Sequence, residues 1–139
     1  MDIQVEGQVS DDDLIGLYDS VGWVAYTRTP DTLAKAVANS SMVVTARDGD
    51  GELVGLARGL SDDASIFYLQ DILVRPEHQR TGVGRQLLAV CLGRYSHVRQ
   101  KVLLTDDDEA QQRFYERLGY VNTVSFSGAS LNTYVRFDA

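Results

Sequence analysis

Asp71-Ile72-Leu73-Val74-Arg75-Pro76-Glu77-His78-Gln79-Arg80-Thr81-Gly82-Val83-Gly84-Arg85 is the stretch that decides the fold. Ile72, Leu73 and Val74 have strand chemistry. Pro76 cannot donate to a sheet ladder, so the strand closes there. Gln79 to Gly84 is polar and small. From Arg85 the apolar residues Leu88, Cys91, Leu92 and Tyr95 recur at helical spacing. The stretch therefore predicts a strand, a proline-punctuated turn, a glycine-bearing loop and a helix starting at Arg85. A loop that frees its amides just before a helix is an anion site. The first-turn N–H groups have no partner, and the helix dipole adds partial positive charge. Gly82 and Gly84 remove side chains that would hold a phosphate away from the backbone. Arg80 and Arg85 add fixed positive charge.

Spacing sets aside two common phosphate-binding patterns. A P-loop needs Gly-Lys-Ser/Thr, which does not follow. A dinucleotide fingerprint needs a third glycine where Leu87 stands. The full set, Val74-x-Pro76 followed by Gln79-Arg80-Thr81-Gly82-Val83-Gly84, resembles the acetyl-CoA signature of the GNAT superfamily of N-acetyltransferases. A second segment, Phe114-Tyr115-Glu116-Arg117-Leu118-Gly119-Tyr120, resembles that superfamily's Phe-Tyr-x-x-x-Gly-Phe/Tyr pattern.

The resemblance implies an acetyl-CoA-dependent N-acetyltransferase working by direct transfer in a ternary complex. It implies that the backbone of Ile72, Leu73 and Val74 pairs with the pantetheine arm, as an added strand would. An amide near a bulge in that strand would stabilise the thioester oxyanion. Gln79, Arg80, Thr81, Gly82, Val83, Gly84 and Arg85 would cradle the pyrophosphate. Seven residues before the tyrosine, where the family often carries Asn in contact with pantetheine, this chain has Asp108. Tyr115 would lie close to the CoA sulfur. Acetyl transfer to an amine expels a thiolate, and a phenol within reach can donate to it.

The amine must also lose a proton. Asp71 is the best single candidate base, since a carboxylate in a central strand is partly desolvated. The alternative is a strand aspartate that only orients the acceptor or caps a backbone group, and a water chain is a third route. Trp23, Tyr26 and Arg28 are candidates for the acceptor wall, with Tyr134 a further one. His78 and His97 have no carboxylate or cysteine at ligand spacing, so no metal site is expected. Cys91 reads as a buried small hydrophobe without an activating base.

Composition narrows the rest. At 139 residues the chain is long enough for one core and is read as one domain, residues 1–139. No apolar run is long enough to span a membrane, and the N-terminus lacks the regions of a signal peptide. A single cysteine argues against a disulfide framework and suits the cytoplasm. A net charge of −7 disfavours nucleic acid as partner and suits a cationic acceptor.

Read in order, Ile3 to Val5 is a strand candidate. Ser10 and Asp13 suggest a capping box ahead of Leu14, Leu17, Tyr18 and Val21, one helical face that Gly22 ends. Trp23 to Arg28 is expected as a loop. Thr29 as cap and Pro30 open a second helix ending near Asn39. Met42 to Arg47 and Glu52 to Gly59 form a hairpin, and Ser65 to Val74 is the third strand of that meander. Val98 to Thr105 follows a helix, so the crossover should place it parallel to the strand before that helix. Asp108 with Gln111 suggests an acidic capping box for a last helix with Ala110, Phe114 and Leu118 inward and Gly119 as its stop. Tyr120 to Phe126 and Leu131 to Phe137 alternate and are expected to close the chain as a hairpin.

That order is the GNAT order, and the resemblance covers essentially the whole chain. The expected class is α/β (α+β): a mixed, mostly antiparallel sheet of about seven strands with one parallel pair, flanked by four helices. The expected acceptor is a primary amine of a small molecule. The alternatives are a lysine or N-terminus of a protein, or a non-catalytic acyl-CoA-binding role. The resemblance also allows a homodimer through the C-terminal strands.

Overall fold

The computed structural model describes residues 1–138. They fall into two compact units, residues 1–103 and the described residues from 104 onward. The first unit holds a five-stranded sheet in the order β1-β2-β3-β4-β5. Its strands are β1 (Asp2–Val5), β2 (Met42–Arg47), β3 (Leu53–Ser61), β4 (Ile66–Val74) and β5 (Gln100–Leu103). β1 to β4 pair antiparallel, and β5 pairs with β4 in parallel. The helices of this unit are α1 (Asp11–Ser20), α2 (Val24–Thr27), α3 (Pro30–Ala38) and α4 (Val83–Arg94).

Helices cover both faces of the sheet. On one face Leu14, Leu17 and Tyr18 of α1 and Leu33 and Val37 of α3 pack with Val43, Leu53, Leu56 and Leu73. On the other, α4 lies so close that a Cβ built on Gly55 would sit 3.1 Å from Leu87 and 3.2 Å from Val83. β4 changes allegiance partway along. Phe67 stacks on Tyr95 just past α4, with ring centroids 4.6 Å apart. Asp71 and Leu73 point instead toward α1. The cause is a bulge: Arg58 faces Asp71, the next residue Gly59 faces Leu69, and Gln70 is extra. One extra residue in a period-two strand turns everything after it to the other face.

Several expectations are corrected. Trp23 to Arg28 is not plain loop, because Val24–Thr27 closes one helical turn. Thr29 occupies the cap of α3 without a side-chain hydrogen bond. α4 begins at Val83 rather than Arg85, since Gly82 at φ +92° serves as its cap. Ser10 caps α1 through the Asp13 amide, but the Asp13 carboxylate turns to Arg47 at 3.0 Å. β5 is shorter than the Val98–Thr105 prediction.

The second unit contains α5 (Glu109–Arg117) and a 3₁₀ turn, Thr123–Ser125. Asp108 caps α5 by accepting from the Ala110 amide at 3.1 Å. The reciprocal half of the expected box is missing, because Gln111 accepts from the Thr105 hydroxyl. Gly119 ends the helix at φ +90°. Phe114 and Leu118 are half-buried, whereas Ala110 is exposed. The closing hairpin is absent: Tyr120–Phe126 and Leu131–Phe137 form no strand, which leaves five strands rather than seven. Alternation needs an apolar face to cover, and Val124 and Tyr134 stand 91% and 88% exposed. Including the single turn of α2, the α-helices number five among the described residues, one more than expected.

Candidate active site

The first unit carries two features that meet on β4. One is a free edge. The parallel ladder to β5 ends at Leu69 opposite Leu103. Beyond it, Asp71 to Val74 pair with β3 on one side and, among the described residues, with no strand on the other, and the bulge residue Gln70 pairs with neither. Leu73 is buried in the core, while Ile72 and Val74 are half-buried. The open edge leads through the 3₁₀ turn Pro76–His78 into the Gln79–Gly84 loop. The Gln79 side chain donates through Nε2 to the Val74 carbonyl at 2.9 Å, which ties the loop to the strand end. The Thr81 hydroxyl donates to the His78 carbonyl.

The backbone of that loop is unusual. Arg80 has φ +62°, a region in which a side chain costs about 1–2 kcal/mol. Gly82 follows at φ +92°, and a Cβ there would meet nothing within 4 Å. The space over Gly82 is therefore open to a ligand, and α4 starts directly behind it. Arg80, Thr81, Gly82 and Arg85 are exposed, Gly84 is half-buried, and Val83 is buried against the sheet as an anchor. Open space, a helix start and exposed guanidinium groups suit a pyrophosphate.

The second feature is a buried polar cluster around Asp71. Tyr18 donates to Oδ2 at 2.9 Å, Tyr26 donates to Oδ1 at 2.8 Å, and Arg58 Nε donates to Oδ2 at 2.7 Å. The Arg58 and Asp71 side chains are 7% and 3% exposed. Arg58 also donates to the Ser40 hydroxyl at 3.3 Å. Burial works against the Arg58 charge, yet the carboxylate outweighs it and raises the guanidinium above its ordinary value. Burial, and then the Asp71 charge, push the Tyr18 phenol well up. Burial also raises the Tyr26 phenol. Both phenols therefore stay protonated and donate.

Trp23, Tyr18 and Tyr26 form an aromatic group with centroids 5.0–6.1 Å apart. Trp23 and Tyr26 pack against the α1 and α3 core. Tyr26 also borders an open cavity of about 250 Å³ lined with Ala25, Thr29, Thr32, Leu33 and Ala36. Arg28 is exposed. The sequence reading missed Tyr18, which looked like one more apolar-face residue of a helix. It also missed the partnership of Arg58 with Asp71, which only strand register reveals.

In the second unit, Tyr115 packs edge-on against Phe114 and Tyr120, at 5.1 and 6.0 Å. Burial pushes its phenol up to about 12. Asp108 has its carboxylate engaged as the α5 cap. Tyr134 is exposed. Elsewhere, Cys91 is buried and its thiol is pushed up to about 12 by that burial. No group of three or more metal-ligating side chains occurs among the described residues.

An open strand edge feeding a glycine-capped helix is the arrangement that the resemblance to the N-acetyltransferases leads one to expect. A family model described as an acetyltransferase (GNAT) domain matches residues 17–129. The chain belongs to the GNAT acetyltransferase family. It is 38% identical over 101 residues to the chloroplastic GCN5-related N-acetyltransferase 2 of Arabidopsis thaliana, covering 59% of this chain and 38% of that protein. A GNAT-family acetyltransferase of Streptococcus pneumoniae has the same fold at a TM-score of 0.79 and 29% identity, over 98% of each chain. An aminoglycoside 6′-N-acetyltransferase complexed with coenzyme A shares the fold at a TM-score of 0.65 and 15% identity, over 86% of this chain and 74% of that one. The chain spans 38 to 61% of the length of the first curated relatives it matches.

Proposed function

We propose that this chain transfers the acetyl group of acetyl-CoA to a primary amine of a small molecule, directly and within a ternary complex. The observation that carries this reading is the unpaired edge of β4 from Gln70 to Val74, running into the loop whose Gly82 leaves open space before α4. A pantetheine arm offers amides spaced like a strand, and such an edge receives them by β-augmentation. A pyrophosphate at the end of that arm would meet the α4 amides, with Arg80 and Arg85 beside it. Family membership and the coenzyme A bound to a protein of the same fold support the same co-substrate.

In the transfer, the amine nitrogen bonds to the thioester carbon, the carbon–sulfur bond breaks, the nitrogen gives up a proton and the sulfur gains one. Tyr115 is proposed to supply the proton or hydrogen bond to the departing sulfur. A phenol held near 12 is fully protonated at neutral pH and so always available as a donor. A carboxylate-rich chain with a net charge of −7 favours the approach of a cationic amine. A lone buried cysteine suits a reducing compartment such as the cytoplasm. No helix among the described residues is long and apolar enough to cross a membrane.

The test combines thiol release from acetyl-CoA with CoA binding by calorimetry. The panel covers arylalkylamines, polyamines, aminoglycosides, amino acids and lysine peptides. Amine-dependent release from a small molecule supports the proposal. Turnover confined to peptides moves the acceptor to proteins, and CoA binding with no turnover replaces the enzyme by a sensor. Absence of CoA binding refutes the reading of the β4 edge and loop.

A further inference from the structure

The Asp71 cluster fixes the chemical state of one polar atom, the hydroxyl oxygen of the half-buried Tyr26. A phenol has one hydrogen to donate and two lone pairs. Tyr26 spends its hydrogen on Asp71 Oδ1 at 2.8 Å. Asp71 is fixed in turn by Tyr18 and Arg58 on Oδ2, and Arg58 is the residue directly opposite it on β3. Toward any ligand, the Tyr26 oxygen can therefore only accept. Gln70 Nε2, at 3.4 Å, is the neighbour that donates to it. A phenol polarised by a carboxylate behind it is a strengthened acceptor, suited to a cationic N–H donor. The same side chain borders the cavity of about 250 Å³, whose other lining residues are three aliphatic side chains from Ala25, Leu33 and Ala36 and the two threonines Thr29 and Thr32. No ionisable side chain besides Tyr26 lines it.

We infer that Tyr26 determines acceptor specificity, taking a hydrogen bond from the ammonium of an amine whose compact apolar tail sits between α2 and α3, and that Asp71 is a positioning residue acting through Tyr26. The inference rests on the amine-acetyltransferase reading and narrows its substrate class. It also takes Asp71 out of the base role. Both its oxygens already accept hydrogen bonds, one of them from a buried cation, so receiving a proton would break up the pairing that holds the cluster. The proton of the amine leaves through solvent instead.

Binding is tested by calorimetry on the full chain with CoA present, using 2-phenylethylamine and its N,N,N-trimethyl derivative. The two share charge and tail, but the second has no N–H. Wild type should bind 2-phenylethylamine about tenfold more tightly than the trimethyl probe, as one charge-assisted hydrogen bond warrants. Tyr26→Phe should remove that preference and leave CoA affinity unchanged. Asp71→Asn, confirmed folded by circular dichroism, should weaken the amine to the same degree, and the double variant no further. In turnover, both variants should raise KM for the amine with kcat altered less than about threefold. Equal affinity of wild type for the two probes, or an unaffected Tyr26→Phe, overturns the inference. So does an Asp71→Asn that binds the amine normally but loses kcat, because the carboxylate would then take the proton itself. If wild type binds and discriminates the probes but releases no thiol with any amine, the inference stands as an amine site and the transferase reading fails.

Discussion

Removing the Asp71 carboxylate should cost far more stability than a single polar contact is worth. Asp71→Ala takes away three hydrogen-bond acceptances at once. It leaves the Arg58 guanidinium, only 7% exposed, as a buried cation without its counterion. Breaking a buried pair from one side costs about 3–5 kcal/mol, because the survivor keeps its desolvation penalty and loses its compensation. For a chain of this size each kcal/mol moves Tm by about 3–4 °C, so a fall of about 10–20 °C is expected. Arg58→Met alone strands the carboxylate and should also destabilise, though less, because Tyr18 and Tyr26 still donate to it. The double variant buries neither charge. Its cost should fall short of the sum of the singles by about 2–3 kcal/mol, well beyond the ~0.5 kcal/mol scatter of independent sites. Urea denaturation at pH 7, with the dependence on urea checked to be equal across the cycle, measures all four corners. A loss below about 1 kcal/mol for Asp71→Ala, or additive singles, would refute the argument, since it would mean that Arg58 reaches water and the pair is not buried in solution.

Gly82→Ala should weaken CoA binding and destabilise the fold by about 1–2 kcal/mol, because φ +92° penalises any side chain even where the space is empty; calorimetry and urea denaturation read the two effects separately. Cys91 should resist a disulfide reagent in the native chain at pH 8 and react at the rate of unfolding, since its thiol titrates near 12 and is buried. Tyr115→Phe should lower kcat with little change in CoA affinity; full turnover removes the donor role. The phenol of Tyr115 also predicts a pH dependence. Its folded value near 12 exceeds the unfolded value near 10, so the contribution is complete below pH 10 and is lost as pH rises toward 12. The stability of wild type should therefore fall relative to Tyr115→Phe by about 2–3 kcal/mol across that interval, measured by urea midpoint.

Much of the fold was legible because its signals are local. Pro76 closes β4, Gly82 opens α4, Gly22 and Gly119 end helices, and the Asp48–Gly51 turn sets a hairpin, each acting within a few residues. The C-terminal alternation misled for a physical reason. Periodicity records which side chains could share a face, not whether a surface exists for them to cover, and Val124 and Tyr134 have none. The Asp71 cluster was hidden for a different reason. Phe67, Leu69, Asp71 and Leu73 read as one face of a regular strand, yet the bulge sends the first pair toward α4 and the second toward α1. Asp71 was singled out, but its partners Tyr18 and Arg58 become visible only once that break is known. The one-turn helix Val24–Thr27, which carries Tyr26, is too short to announce itself by spacing.

Gln70 has an odd standing in this chain: it occupies a place in the sequence but none in the pairing. Counted without it, β4 becomes a plain alternating strand, with Leu69 opposite Gly59 and Asp71 opposite Arg58 as before. Excising that single residue should thus leave every buried side chain on its own side while straightening the edge that the bulge bends. The result would be a twin of the same protein, equal in core and unequal where β4 leaves β5 and at Tyr26, whose oxygen would lose the Gln70 donor.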